Sequence, residues 1–486
     1  TYLFKQDNPS VTLNLAQRIP SIAVDAMASD LNAYELDEIS FENNQAQDTE
    51  TSLQSNLTRT FNRSNGLSLL KTGFKYRQRE KEALANVNIF DGDFDDIAPS
   101  MFASAEPDYG LGSFGPGIDR VLLRQDFAQN RTQYERDELA SELDSIGASY
   151  ISTEDIFAAY LMGQWNWDKL QVIAGLRYEH TDFSTSGSIV DLVEDEQNDI
   201  EQVVASPFSI DKNYDHLLFS ANARYAVSDK LIVRSAFSQT ISRPIFEQSA
   251  AFQIIESNTQ EEDGEFITER EAEVGNPALE ALESNNFDLS IEYYPDSIGV
   301  LSAGAFYKDI DNFIVFADVA GSPGFEGFDE AIQPINGESA SLSGIELSWV
   351  KTFDNGLLIS ANGTFLSSDA VTFLDGERFE TSLPNQSDQI GNLSFGYEDN
   401  TWSLRLTMTY KSDNLDEIDG DMLRIEDDHH QLDFSGKYFI NDDLNLYFNL
   451  ININDEPFYN YFNERNRNAQ FEEYGRTVEF GVRWQL

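Results

Sequence analysis

The 486-residue sequence contains no cysteine, few basic residues and no long apolar run. The lack of cysteine rules out a disulfide framework and fits a chain that crosses an oxidising compartment before it folds. No run approaches the roughly 18 apolar residues that a membrane helix needs. Only 32 lysines and arginines accompany 85 aspartates and glutamates, which gives a formal net charge of −53. A surface of that charge repels nucleic acid.

Catalytic signatures are missing as well. The sequence has no metal-protease helix, nucleophile elbow, Walker loop or dinucleotide-binding fingerprint. Of the four histidines, His429 and His430 are adjacent and would point to opposite faces of a strand, so they could not chelate one ion together. We therefore expect neither an enzyme nor a bound cofactor.

What the chain does have is strict two-residue alternation, seen most clearly at its end. Val478, Phe480, Val482 and Trp484 share one face of a predicted strand, and Glu479 lies on the other face with the intervening polar residues. A soluble sandwich would bury such an apolar face in a core, whereas a transmembrane barrel turns it to lipid and its polar face to a watery lumen. The pattern recurs at 287–293, 402–411, 432–440 and 444–450.

The connections alternate between short and long. Short polar links of the kind that form tight turns lie at 63–66, 168–169, 228–230, 296–299, 354–356, 398–400 and 441–443. Long acidic stretches lie between them, at 83–150, 184–212, 242–282, 317–337, 368–384, 413–426 and 463–470. This asymmetry is typical of outer-membrane barrels. The sequence therefore predicts an all-β fold, a transmembrane antiparallel β-barrel with long extracellular loops, short periplasmic turns and a final strand at approximately 472–485.

Counting back from Leu486 gives about fifteen strands, the first near 51–62. Single-chain bacterial barrels have an even number of strands, since an odd number would leave an unpaired edge in lipid. We therefore interpret 51–486 as the C-terminal portion of a longer barrel and 1–50 as mostly an extracellular loop. No basic and apolar leader begins at Thr1, so a secretion signal is expected elsewhere.

Several segments carry a family resemblance. Residues 233–248 read VRSAFSQTISRPIFEQ, residues 275–294 read GNPALEALESNNFDLSIEYY, and residues 303–314 read AGAFYKDIDNFI. In sequence, order and spacing they resemble the barrel of TonB-dependent outer-membrane receptors. The closing segments at 450–459 and 471–477 are similar to the end of that family, and LKTGFKYRQREK at 70–81 resembles its proteobacterial branch, often linked to oligosaccharide uptake.

The resemblance implies a barrel of 22 strands around a globular plug, with import driven by the TonB-ExbB-ExbD complex acting on the N-terminal part. Nothing in 1–50 resembles the plug, so we expect the plug domain to be absent from this chain. The expected location is the outer membrane of a Gram-negative bacterium, in contact with lipid and lipopolysaccharide. The implied function is import of a large nutrient, with an oligosaccharide as the first candidate. A ferric siderophore of the same receptor class and a passive porin are the alternatives.

The loops contain candidate binding residues. Aromatic rings stack on the apolar faces of sugars, and the candidates are Phe102, Tyr109, Phe114, Phe325 and Phe328. The alternative is that these rings only pack loop against loop. Asp91, Asp93 and Asp95 have the spacing at which carboxylates converge on Ca²⁺, although the glycine and glutamate of an EF-hand are missing. A surface calcium site and a solvated acidic loop both remain open for this segment.

The acidic charge is concentrated in the long connections. Residues 256–273 contain eight carboxylates and one arginine, Arg270. Such a layer suits an environment rich in divalent cations or salt, which favours a marine or halotolerant host. Ordinary solvation of the loops explains the same composition equally well.

Overall fold

The computed structural model describes residues 2–5, 11–14, 21–24, 29–61, 65–91, 94, 97–106, 115–262, 265–295, 297–374, 377–419 and 422–485. Strands dominate these described residues, which contain two α-helices, α1 (Arg120–Gln129) and α2 (Glu138–Gly147). Single 3-10 turns occur at Leu31–Ala33, Pro99–Phe102 and Arg131–Gln133. No helix in the described part of the chain is both long and apolar enough to cross a membrane.

The strands, in chain order, are β1 (Tyr2–Lys5), β2 (Val11–Asn14), β3 (Ser21–Val24), β4 (Glu35–Glu42), β5 (Gln45–Thr60), β6 (Gly66–Leu84), β7 (Val87–Asp91), β8 (Tyr150–Asn166), β9 (Leu170–Asp195), β10 (Ile200–Ser228), β11 (Leu231–Ser242), β12 (Gln253–Glu262), β13 (Glu265–Val274), β14 (Leu282–Tyr293), β15 (Val300–Asp311), β16 (Ile314–Asp318), β17 (Glu330–Asn336), β18 (Ser339–Thr352), β19 (Leu357–Leu374), β20 (Glu377–Thr381), β21 (Gln389–Glu398), β22 (Trp402–Lys411), β23 (Asn414–Asp419), β24 (Met422–Glu426), β25 (His429–Asn441), β26 (Leu444–Ile451), β27 (Phe458–Phe462), β28 (Asn468–Glu472) and β29 (Thr477–Trp484).

Fifteen of these strands form the barrel wall. Antiparallel ladders link them in the order β5, β6, β8, β9, β10, β11, β14, β15, β18, β19, β21, β22, β25, β26 and β29. The predicted barrel and its strand count are confirmed. The first wall strand begins at Gln45, ahead of the predicted 51, and the last occupies Thr477–Trp484 because Asn468–Glu472 pairs with β27.

The two faces of the wall differ as the alternation requires. On β14, Phe287, Leu289 and Ile291 are about half exposed on the outer face, while Asn286 and Ser284 are buried and hydrogen-bonded to each other on the inner face. Large apolar side chains left exposed at this density are expected only where lipid covers them. The outer face of the wall is therefore the lipid face.

Tight turns join the wall strands at the periplasmic rim. In the turn between β18 and β19, the amide of Gly356 donates to the carbonyl of Phe353, at 3.0 Å, and Gly356 has a φ of +86°. A Cβ at Gly356 would lie 2.4 Å from the carbonyl oxygen of Glu398, so both the dihedral angle and the space require glycine.

The long connections contain more regular structure than a loop prediction implies. Strands β9 and β10 run on for 26 and 29 residues and so continue well beyond the bilayer, since about 9 to 11 residues suffice to cross it. Strand β12 joins the outer part of β9 in a parallel ladder, and β13 pairs with β12 and, in parallel, with β17. We call the outer part of β9 together with β12, β13, β17 and β16 the cap sheet.

The described residues within 1–50 and 83–150 contribute a second extracellular layer. Strands β1, β4 and β7 form a small sheet whose core contains Leu36, Ile39, Phe90 and Leu123. Helix α2 takes the place of a further strand beside β7. The hydroxyl oxygens of Ser141 and Ser145 on α2 accept from the amides of Ile89 and Val87, both at 2.9 Å. The hydroxyl oxygen of Ser149, two residues beyond the helix, accepts from the amide of Ala85 at 3.0 Å.

Candidate functional site

A cavity among the described residues lies between α2, the cap sheet and the segment that follows β11. Its volume is about 660 Å³, within the usual range for a small-molecule site. Apolar side chains form much of its lining: Ile245, Phe252, Ile254, Val274, Phe316 and Ile332. The charged residues of the lining are all carboxylates: Asp144, Glu247, Glu256, Glu271, Glu273 and Glu330. Among the described residues that line it, none is basic.

Strand register explains why the carboxylates lie together. Glu256 of β12 is directly opposite Glu271 of β13, and Glu271 is the register partner of Glu330 of β17. The three glutamates therefore form one row across three strands, at the roughly 4.8 Å spacing of a sheet. Like charges placed side by side in this way are destabilising, so the row costs folding energy. A cost of this kind is typical of functional sites.

Electrostatics in the cavity follow from this crowding. Burial, followed by the charges of Glu271, Asp144 and Glu194, raises the pKa of Glu256 above its ordinary value. Burial and the charge of Glu42 raise the pKa of Asp144 in the same direction. The ionised forms of these carboxyl groups are therefore disfavoured in the cavity. A ligand that is positively charged or donates hydrogen bonds would stabilise them.

A buried ionic cluster anchors the segment after β11 to the wall. The Arg243 guanidinium donates to Glu179 at 2.7 Å and to Thr181 at 2.8 Å, and its Nε lies 3.5 Å from a carboxylate oxygen of Glu154. Arg77 donates to the same Glu154 at 3.1 Å. Both carboxylate residues are less than a tenth exposed. Because Arg243 precedes the cavity-lining Ile245 and Glu247 by a few residues, this cluster holds one side of the cavity against the barrel wall.

The predicted aromatic residues lie away from this cavity where they are described. Phe102 is only 4% exposed, in the core of the β1–β4–β7 layer. Phe325 and Phe328 make an edge-on pair with centroids 5.7 Å apart and pack against the apolar face of the cap sheet, opposite its glutamate row. Their roles in ligand binding stay predictions. Tyr109 and Phe114 lie outside the described residues.

The proposed calcium ligands are only partly covered. Asp91 is the last residue of β7, and its side chain, like all of Asp93 and Asp95, lies outside what the structure describes. Within the described residues, no group of three or more histidine, aspartate or glutamate side chains is arranged to hold a metal ion. Calcium binding at 91–95 stays a prediction.

The glutamate row is not among the predicted site residues, although the sequence contains a signal for it. Glu269, Glu271 and Glu273 recur at every second position, which places them on one face if the segment is a strand. The density of charge in 256–273 favours a solvated loop, and that composition conceals the two-residue period. Glu330 joins the row, and Asp144 approaches it, only through the tertiary fold.

A family model described as TonB dependent receptor-like, beta-barrel, matches residues 2–453. The chain belongs to the TonB-dependent receptor β-barrel family. The predicted family is confirmed, and β-barrels of this family are outer-membrane proteins of Gram-negative bacteria that serve as receptors and transporters. No curated protein matches the sequence.

Several solved structures share the fold of this TonB-dependent receptor barrel. The ferric-catecholate import receptor Fiu of E. coli K12 in its closed form has a TM-score of 0.60 at 14% identity, covering 94% of this chain and 57% of that one. The siderophore receptor PiuA of Acinetobacter baumannii has a TM-score of 0.56 at 13% identity, covering 93% and 57%. The ferric yersiniabactin uptake receptor FyuA of Yersinia pestis has a TM-score of 0.53 at 14% identity, covering 93% and 56%. The chain thus spans a little over half the length of these receptors.

Proposed function

We propose that this chain forms the wall and extracellular cap of an outer-membrane receptor that captures a nutrient in the cavity beneath the cap sheet, for TonB-driven import. The cavity itself carries the proposal. It combines an apolar lining with polar groups on the extracellular side of a barrel of this family, and it is tied to the wall by Arg243. Binding and a conformational change suffice for such a role, so no covalent chemistry is required.

The charge of the cavity bears on the ligand. Six lining carboxylates repel a polyanion, and each close contact between like charges at about 5 Å costs about 1 to 3 kcal/mol at effective dielectric constants of 80 to 20. Neutral sugars instead donate hydroxyl hydrogen bonds to carboxylates and stack on apolar rings such as Phe252 and Phe316. This supports an oligosaccharide as the first candidate.

A specific observation favours the second candidate, a ferric chelate. Structures that share the fold are receptors for ferric catecholates, ferric yersiniabactin and another siderophore. At 13 to 14% identity these likenesses establish the fold alone. A chelate that fits the cavity would need to be neutral or positively charged rather than anionic.

The remaining parts of the proposal concern partners and place. We infer contact with the TonB-ExbB-ExbD complex through an N-terminal part of the protein, contact with lipopolysaccharide at the outer rim of the wall, and a host that lives in salt-rich water. The net charge of −53 supports the last inference, because dissolved cations screen repulsion between carboxylates.

The test uses cells that produce the full-length receptor, with and without TonB. We expect uptake of labelled neutral oligosaccharides from a mixed panel, dependent on TonB and on the proton-motive force. Substituting Glu271→Gln and Glu330→Gln should change the glycan affinity while the barrel folds normally. Uptake of an iron chelate but no glycan would favour the second candidate. Uptake indifferent to TonB, with large steady conductance in planar bilayers, would indicate a porin.

A further inference from the structure

A second concavity, of about 480 Å³, lies on the outer surface of the wall and plays no part in nutrient capture. It crosses the four neighbouring strands β14, β15, β18 and β19. In the ladders, Ile291 is the register partner of Ala303, Ala303 of Leu347, and Leu347 of Gly363. The next row toward the periplasm is Tyr293, Leu301, Trp349 and Ala361. All of these positions share the lipid face.

The shape of this groove comes from side-chain size. Ala303, Ala361 and Gly363 form a low floor, because neighbouring positions on the same face carry Leu347, Trp349 and Phe365, which stand well above it. Leu347 and Phe365 are about half exposed. The lipid face elsewhere on β14 is filled by Phe287 and Leu289. The groove therefore presents an unfilled apolar channel to the bilayer, as wide as four strands.

The groove lies in the periplasmic half of the membrane. Trp349 is four residues from the β18–β19 turn at Phe353, and its indole donates to the carbonyl of Ile298 at 2.7 Å, in the turn between β14 and β15. Tyr293 stands in the same row. Aromatic residues with a polar atom mark the level of the lipid headgroups, so the groove opens at the headgroup boundary of the periplasmic leaflet.

A cation stands at that open end. Lys351 follows Trp349 by two residues on the same face, and its ammonium lies 5.4 Å from the centroid of the Phe353 ring, at the edge of the membrane. The chain carries far fewer basic than acidic residues, so a lysine at this position distinguishes this part of the surface from the rest. An ammonium at this depth reaches the interface and attracts lipid phosphate.

We propose that this groove is a binding site for one glycerophospholipid of the periplasmic leaflet. One acyl chain lies along the floor of Ala303, Ala361 and Gly363, and the phosphate pairs with Lys351. The site is separate from the nutrient cavity and does not depend on the ligand proposed for it. A phospholipid fits better than a second copy of the chain, because the apolar face of another barrel offers no phosphate for Lys351.

Two glycines provide a matched pair of variants. A Cβ at Gly363 would meet its nearest neighbour at 3.7 Å, and a Cβ at Gly391 would also meet its nearest neighbour at 3.7 Å. They are register partners on β19 and β21, yet only Gly363 lines the groove. Gly363→Leu fills the groove, and Gly391→Leu adds the same side chain to the adjacent strand. At both positions the added Cβ is in ordinary van der Waals contact with its nearest neighbour.

The experiment titrates palmitoyl-oleoyl phosphatidylethanolamine into the detergent-solubilised full-length receptor and counts bound lipid by native mass spectrometry. Heat-modifiable gel mobility first confirms that each variant folds. We expect one tightly bound lipid in the wild type and in Gly391→Leu. Gly363→Leu should bind it about tenfold more weakly, the effect of losing contact with about two methylene groups. Lys351→Gln should weaken binding of the phospholipid but not of a diacylglycerol with the same chains.

Three results would overturn the proposal. One is equal lipid retention in the wild type, Gly363→Leu and Gly391→Leu. Another is equal loss of phospholipid and diacylglycerol in Lys351→Gln. The third is a protein dimer that Gly363→Leu dissociates, which would assign the groove to contact between copies of the chain.

Discussion

Arg243 joins two strands of the inner wall to the segment that follows β11. It bridges Glu179 of β9 and Glu154 of β8, and Arg77 of β6 shares the second carboxylate. Pairing of this kind adds little net stability when it is complete, but loss of one partner leaves the buried charges less well compensated, with only Arg77 for Glu154 and Arg177 for Glu179. The cluster therefore acts chiefly to hold the segment after β11 in one position.

Replacing Arg243 with glutamine should lower the free energy of unfolding by about 3 kcal/mol, because two largely buried carboxylates lose their shared cation. Chemical denaturation followed by tryptophan fluorescence measures the change. Arg378→Gln is the control, since Arg378 and its partners Glu338 and Glu380 are all at least half exposed, and it should change little. Equal denaturation midpoints for the two variants would show that the Arg243 cluster is not structural.

Glu256 gives a prediction with a defined pH window. Its pKa is raised in the folded state, so the destabilising effect of its charge is complete above the folded pKa and disappears below the unfolded value of 4.5. Glu256→Gln should therefore raise the thermal stability of the cap near pH 8 and leave it unchanged near pH 4. Glu142→Gln, on the exposed side of α2, is the control. A gain of equal size at both pH values would contradict the assignment.

Among the elements, β29 provides a direct test of which face meets lipid. Val478 is 65% exposed on the outer face, whereas the Glu479 carboxylate accepts from the Asn449 side chain at 2.8 Å on the inner face. Val478→Lys should impair insertion, because a lysine facing lipid at mid-membrane costs about 2 to 4 kcal/mol. Glu479→Lys adds the same side chain to the lumen and should be tolerated. The measurement is the fraction of each variant that forms a heat-modifiable barrel on a gel. Equal fractions for the two variants would refute the assignment of faces.

The elements also show what could be predicted from sequence. The sequence predicts a strand at 402–411, and β22 occupies these residues. The prediction succeeds because apolar and polar residues must alternate in a strand with one face to lipid, and because a short turn marks where the strand begins. The stretch 184–212 was predicted as a loop but consists largely of β9 and β10. Outside the bilayer both faces of a strand can be polar, so the segment DFSTSGSIVDLV at 182–193 carries no lipid-facing period. The parallel pairing of Gln253 with Ile189 joins residues far apart in the chain, and no local pattern specifies it.

At the scale of the whole molecule, the net charge is the dominant property. The cap sheet places carboxylates about 5 Å apart, a distance that dilute salt screens poorly and concentrated salt screens well, since the Debye length falls from about 10 Å at 0.1 M to about 3 Å at 1 M. Carboxylate repulsion in the cap should therefore decrease as salt increases.

Raising sodium chloride from about 0.1 M to about 1 M should increase the thermal midpoint of the purified protein. The increase should be smaller in a variant with Glu256, Glu271 and Glu330 all changed to glutamine, because the row no longer repels itself. Circular dichroism or intrinsic fluorescence measures both midpoints. A midpoint that falls with salt would mean that attractive ion pairs, such as those of Arg243, outweigh the repulsion.

The serines of α2 have a consequence for how this protein avoids misassembly. A short strand such as β7 presents unused amides along its edge, and an edge of that kind recruits strands from other molecules. Ser141 and Ser145 accept from the β7 amides of Ile89 and Val87, and Ser149, just after α2, accepts from the amide of Ala85, just before β7. These amides are thus satisfied by hydroxyl groups, which offer no further strand edge. A helix surface cannot propagate a ladder, so growth of the sheet stops at β7. The extracellular layer thus protects itself against fibril-like stacking where crowded receptors meet at the cell surface.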